Sequence, residues 1–428
     1  CLQNVEMMKM QENSSLPLPQ DFVEFLNANE IDPSIYSTAH NASRYIRLKT
    51  GSEHHLVEIE KDLQCNLESV KWLPSFYSLP GNVPIANSKS YKEGKASEET
   101  QFSNRFSNRY PFSHNNSTPD LRNRCGFRSR CNGFKYHKWR SCPRSLRCSW
   151  FVTCISNSMN IHILILGAKL CMILDLLSTS GSVTAVDISR HRLAACRTVI
   201  RKYNIGDRCR LFLADGTKFS LLPIRSQQPC NDEIAKPSNS YGVWRSKTPW
   251  KQRQKLKKSE NQLGDNELMY YGRDSGVVGL QKEELYNNKT GEGYDKVLVD
   301  AECTHDGSIT HIKKFGSWGW ETLHKRVVNA QRSDELSTLQ LNLLKNGFKM
   351  LKDGGTLIYS TCSLTVFQNE DVVRRFLEET ASAEVQPIES AKNWPCRNGQ
   401  LANTYRFDHQ VSSTSGLFLA KITKLPTL

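Results

Sequence analysis

Three acidic residues follow short apolar runs in the second half of the chain: Asp187 in "TAVDIS", Asp215 in "FLADGT" and Asp300 in "VLVDAEC". A carboxylate at a strand end can accept from both hydroxyls of a ribose, so acids placed there suit a nucleotide-like cofactor. Taken singly, each has a second reading as a turn former or helix cap. Two cysteines stand at the ends of runs of the same kind. Cys303 lies three residues after Asp300, and Cys362 sits in "YSTCSLT". Strand-end thiols beside a cofactor pocket are candidate nucleophiles, whereas a lone buried cysteine is more often inert filler. Acids and thiols at one edge of a sheet point to covalent chemistry next to a bound cofactor.

The elements that must hold these residues alternate. An apolar run from Ile161 to Leu166 leads into Gly167, Ala168 and Lys169 and a helix over about 168–178. The strand "SVTAVDI", a helix from Arg190 to Tyr203, and the strands "CRLFLADG" and "YDKVLVDA" follow. A helix from Asp334 to Leu351, the strand "GTLIYSTCS", the helix "NEDVVRRFLEE" and the strand "SGLFLAKIT" close the chain. Short apolar strands alternating with amphipathic helices imply an α/β, doubly wound Rossmann-type sheet, whose ligands bind at the carboxyl ends of its strands. Three regions are expected: a small α+β unit over 17–90, an aperiodic Arg/Cys/Ser-rich stretch over 91–160, and the α/β domain over 161–428. Within the last, 222–293 is too polar and too long for an ordinary connection and reads as a disordered insertion.

The 428 residues carry a formal net charge of +14, which favours a polyanionic partner. Between residues 101 and 154 nine Arg and two Lys face the single acid Asp120, a net of +10. A second basic run, "KQRQKLKK", reads either as a nuclear import signal or as a phosphate-binding surface. The fourteen cysteines are dispersed and several sit in apolar runs, so they read as reduced and intracellular rather than as a disulfide framework. No apolar run approaches the roughly 20 residues of a membrane span. The chain starts on Cys1, so the start of the natural protein is expected upstream.

"YSTCSLTVFQNEDVV" resembles the motif YSTCS-x-x-P-x-x-NE-x-VV of the Sun-family RNA cytosine-5 methyltransferases, and "VDAECTHDGS" resembles that family's DAPCSG-x-G. "GAKLCMILDLLSTSGSVTAVDIS", "ADGTKF" and "SGLFLAKITK" are similar to its cofactor segments and closing strand, and "SRYIRLKT" and "VKWLPSFYSLP" to its amino-terminal RNA-contacting region. The resemblance covers about 17–90 and 167–425 without the insertion. It implies methyl transfer from S-adenosylmethionine to C5 of cytosine in RNA, through a covalent adduct between Cys362 and C6. It also implies Cys303 as the thiol that assists product release and Asp300 as the acid beside the base and the cofactor. Asp187 and Arg192 would hold the ribose, Asp215 the adenine, and Gly167, Ala168 and Lys169 the first cofactor turn. No metal is implied. The partner is ribosomal or transfer RNA with a flipped or single-stranded cytosine, the protein a monomer without a membrane. With "KQRQKLKK" read as an import signal, the nucleus or nucleolus is the expected location, ahead of cytoplasm or organelle.

Two departures stand out. The family's proline in DAPC is Glu302 here, either as a neutral variation or as an acceptor for the cytosine amine. The family's LDLCAAPGGKT becomes "HILILGAKL", with bulky Ile165 and Leu166 where a small residue and proline are expected. For the basic stretch before it three readings stand: an RNA- or zinc-binding insertion, a disordered linker, or translated non-coding or frame-shifted sequence in place of the family segment. The last is favoured because the family pattern stops and resumes abruptly. The alternative function is therefore a catalytically impaired RNA-binding relative that keeps the fold.

Overall fold

A computed structural model describes residues 18–36, 44–49, 51–81, 83–85, 88–89, 96–98, 159–164, 168–177, 181–224, 266–277 and 292–426. Most of the basic stretch and most of the insertion therefore lie outside the described residues, as do Ile165, Leu166 and Gly167.

The amino-terminal part is an α+β unit. Strands β1 (Arg44–Leu48), β2 (Glu68–Ser69), β3 (Phe76–Leu79) and β4 (Ala96–Glu98) form one sheet in the order β2-β3-β1-β4. Helix α1 (Gln20–Ala28) precedes this sheet in the chain, and helix α2 (Leu56–Leu63) lies between β1 and β2. Every residue of β1 is buried, including Arg44 and Arg47. Arg47 pairs with Asp175 and Arg44 donates to the Val83 carbonyl. Two cations of the expected RNA-contacting segment thus serve packing, and Arg47 ties the small unit to the large one.

The larger sheet has ten strands: β5 (Met159–Leu164), β6 (Gly181–Asp187), β7 (Cys209–Leu213), β8 (Glu267–Tyr271), β9 (Tyr294–Asp300), β10 (Leu351–Thr361), β11 (Ala383–Gln386), β12 (Arg397–Asn398), β13 (Thr404–Phe407) and β14 (Leu417–Lys424). The parallel core runs β10-β9-β5-β6-β7, so the strand order reverses between β5 and β9. That reversal is where such sheets open a crevice at their carboxyl edge. Antiparallel β8 borders β7, and antiparallel β14 borders β10 on the other side. The fold is the Rossmann-type α/β sheet implied by the sequence.

One part of the insertion is ordered. Strand β8 lies inside the stretch expected to be disordered, with Leu268 and Tyr270 buried against the sheet and the Tyr270 hydroxyl donating to the Gly206 carbonyl. Its alternating "ELMYY" provides one apolar face, enough for an edge strand but hidden by polar flanks.

Side-chain alternation sorts the core into two layers. Val183, Ala185, Leu211, Leu298 and Ile358 join one cluster with helices α3 (Ala168–Leu176) and α4 (Arg190–Tyr203). Their neighbours Val186, Phe212, Val299, Leu357 and Tyr359 join the other, with α6 (Ala330–Lys349) and α7 (Glu370–Glu378); α5 (Ile309–Trp318) precedes these two helices. Ser189 caps α4 by accepting from the Arg192 amide, and Asn204 ends it at a left-handed φ of 51°. Helix α6 crosses β9 at Gly347, where a Cβ would lie 2.8 Å from Val299. The absent side chain lets α6 press on the strand that carries Asp300.

Candidate functional site

β9 and β10 pair in register with Asp300 opposite Ser360, so the residues after each strand emerge side by side. Cys303 and Cys362 follow, with their Sγ atoms 3.1 Å apart and both thiols buried. The Cys362 amide lies 3.4 Å from Cys303 Sγ, and the Gly307 amide donates to the Cys362 carbonyl at 3.1 Å. Sequence order alone separates the two cysteines by 59 positions; the parallel register closes that gap.

Residues beyond the cysteines lock the two loops. Gln368 accepts from the Thr304 amide at 3.1 Å and donates to the Thr304 hydroxyl at 2.9 Å. Asn369 accepts from the Thr361 hydroxyl and donates to the Ser363 carbonyl. Glu370 holds Arg406, which also donates to the Leu364 carbonyl. The "QNE" of the motif is therefore a clasp: Gln368 and Asn369 bind the cysteine loops directly, and Glu370 holds the arginine that reaches Leu364. Buried Asp306 accepts from the Leu364 amide and from Thr304. Burial pushes its carboxyl up, against the lowering effect of those hydrogen bonds.

Gly307 sits where these loops touch. A Cβ there would lie 2.5 Å from the Cys362 carbonyl oxygen and 2.9 Å from the Gly416 Cα, both backbone atoms. Gly307→Ala is expected to cost about 1–3 kcal/mol and to part the loops. Denaturant unfolding reads the first effect, and faster alkylation of Cys362 by iodoacetamide reads the second. Unchanged values in both would show that the contact carries no constraint.

Asp300 pairs with Lys169 from the first turn of α3, and Ser360 donates to the same carboxylate at 3.2 Å. Both charged side chains are largely buried. Asp187, at the end of β6, accepts at Oδ1 from the Ser189 amide at 2.7 Å and from Arg192 at 2.9 and 3.1 Å. Beside it Ile188 is exposed, an apolar surface next to a fixed carboxylate. Asp215 uses Oδ1 to accept from the amide and hydroxyl of Thr217, the turn-forming alternative for that residue. Ala168 opens α3, while Gly167 lies outside the described residues. Glu302 directs its carboxylate to Arg332 at 3.3 Å. That position favours a surface ion pair over contact with the two thiols.

His305 was not among the candidates read from the sequence. Its Nδ1 is 2.6 Å from Cys362 Sγ and 3.6 Å from Cys303 Sγ. Its φ of 60° is left-handed, a conformation that favours glycine. DAPCSG-x-G has glycine at this place, so the signal was a histidine standing where the backbone calls for none. An imidazole against a thiol is the arrangement that links a nucleophile to a base.

Residues 249–423 match a family model described as 16S rRNA methyltransferase RsmB/F. Over this region the chain is similar to RNA cytosine-5 methyltransferases of the Sun type. A relative named tRNA (cytosine(49)-C(5))-methyltransferase, from Pyrococcus abyssi, is 29% identical over 153 residues, 33% of this chain and 46% of its own length. The 5-cytosine rRNA methyltransferase NSUN4 of Xenopus tropicalis is 33% identical over 133 residues, 30% of each chain. The match thus spans less than half the length of these curated relatives. Among solved structures, NSun6 from Pyrococcus horikoshii with SFG aligns over 96% of this chain and 99% of its own, with a TM-score of 0.58 and 13% identity. A methyltransferase homolog from the same organism aligns over 91% and 90%, with a TM-score of 0.51 and 16% identity. At these identities the structural likeness shows the fold alone. Among the described residues, no helix is long and apolar enough to cross a membrane.

Proposed function

We propose that the chain methylates C5 of cytosine in RNA, with Cys362 as nucleophile. The observation that carries this reading is the meeting of Cys303 and Cys362, 3.1 Å apart, beyond the strand that ends in Asp300. The residues along the carboxyl edge fit S-adenosylmethionine. Asp187 and Arg192 suit its ribose, exposed Ile188 offers a face for the purine, and the Asp215 turn lies at the adenine side. Lys169 and Asp300 mark the methionine side of the crevice, at the helix that Ala168 opens. When bound, this cofactor supplies an electrophilic methyl group.

The chain's own residues do the rest. Cys362 Sγ adds to C6 of the cytosine, which places electron density on C5. His305, at 2.6 Å, is placed to take the thiol proton. Asp300 stabilises the protonated pyrimidine ring while the C5–methyl bond forms. Loss of the C5 proton and departure of the Cys362 sulfur from C6 restore the aromatic base, a release that Cys303 assists. A cytosine must leave its stack to reach a thiol this buried, which favours single-stranded or flipped RNA. The basic excess supplies phosphate affinity independent of sequence. The alternative, an impaired RNA-binding relative, rests on the bulky Ile165 and Leu166 before the first cofactor turn.

Calorimetric titration of S-adenosylmethionine into the chain separates the two. The enzyme reading expects saturable binding, weakened by Asp187→Ala. RNA binding without any cofactor affinity would overturn it in favour of the impaired relative.

A further inference from the structure

We propose that Cys303, His305 and Cys362 form a Cys2His site for a borderline-soft divalent cation of the zinc type. The three donor atoms lie within 3.6 Å of one another: the sulfurs at 3.1 Å, His305 Nδ1 at 2.6 Å from Cys362 and 3.6 Å from Cys303. Thiolate and imidazole donors together select zinc-like ions over the oxygen-loving magnesium and calcium. Three protein ligands of this composition leave a fourth position for water, as in catalytic rather than structural zinc sites.

The donors are held before any ion arrives. Cys303 and Cys362 are 2% and 0% exposed, and their loops are joined by the Gly307 amide, by Gln368 and by the Asp306 carboxylate. The left-handed backbone at His305 turns its ring onto the sulfurs instead of outward. Zinc legs of about 2.3 Å to sulfur and 2.0 Å to nitrogen set tetrahedral donor separations near 3.5–3.8 Å. The sulfurs, at 3.1 Å, must part by about 0.7 Å to reach it. The His305 ring must retreat from Cys362 by about 1 Å, a shift that rotation of this half-buried side chain supplies. Binding releases the two thiol protons to solvent and leaves a site of two thiolates, one neutral imidazole and one dication, with no net charge.

The inference stands apart from the methyl-transfer reading, because it concerns only what these side chains bind. Should both hold, the cation and the RNA base compete for the Cys362 sulfur, since coordination draws electron density from the thiolate and fills the space beside it.

Cobalt(II) is the probe, titrated into the reduced full chain without oxygen and then displaced with zinc. Wild type is expected to show thiolate-to-cobalt charge-transfer absorption and tetrahedral visible bands that saturate at one equivalent. Cys303→Ser, Cys362→Ser and His305→Gly should each weaken binding at least about tenfold and change the bands, while Cys196→Ser leaves them unaltered. His305→Gly suits the left-handed backbone, and thermal melting verifies that each variant is folded. Bands unchanged in the three variants would place the ion on other cysteines and overturn the proposal. So would a folded wild-type chain that gives no thiolate absorption.

Discussion

Cys362→Ser is expected to abolish both methyl transfer and the covalent adduct with a 5-azacytosine RNA, lowering turnover at least about a thousandfold. A serine hydroxyl is a far weaker nucleophile toward C6, and no other thiol in the site stands in the same relation to His305. Cys303 lies 3.6 Å from that imidazole, against 2.6 Å for Cys362. Cys303→Ser should do the opposite to the adduct: with release impaired, the covalent species accumulates and is seen as a slow-migrating band in denaturing gels. An adduct that persists in Cys362→Ser and vanishes in Cys303→Ser would reverse the two roles.

Asp300→Ala is expected to destabilise the fold by about 3–5 kcal/mol, because it strands the buried Lys169 ammonium without its carboxylate. In a domain of this size each kcal/mol is worth roughly 2–4 °C in Tm, so melting should fall by roughly 6–20 °C. Asp300→Asn should be milder, as an amide oxygen still accepts from Ser360. The double variant Lys169→Met with Asp300→Leu removes both charges and should recover much of the melting temperature while remaining inactive. Equal melting of wild type and Asp300→Ala would mean that the pair contributes nothing to stability.

The two thiols and the parallel sheet were legible because each rests on a strong local pattern. Strands such as "KVLVD" are apolar on both faces, and "YSTCS" is rarely met by chance. What escaped notice depends on contacts between distant segments. Strand β8 is one apolar face five residues long, and the edge of β7 gives it its partner among the described residues. Gln368 and Asn369 look like ordinary polar residues in a helix-entry turn until their bonds to Thr304, Thr361 and Ser363 are drawn. His305 becomes informative only once its backbone conformation is known. Asp215, read as an adenine contact, makes its observed bonds within its own turn. "SRYIRLKT", similar to an RNA-contacting segment, holds Arg44 and Arg47 in a strand buried at every position, which alternation cannot reveal.

The Tyr36 hydroxyl donates at 2.8 Å to the carbonyl of Asp306, 270 residues further along, and Phe22, Leu26 and Ile35 pack on Ile309, Ile312 and Phe315. A ribosome adding roughly 5–20 residues per second delivers that partner about 15–50 s after Tyr36 itself. The earlier segment therefore docks late, and its aromatic and aliphatic side chains must stay out of other associations for that interval. Nascent chains stalled before residue 300 should expose this helix to holdases and proteases, and the same helix should fall silent to both once the loop beyond β9 has left the exit tunnel.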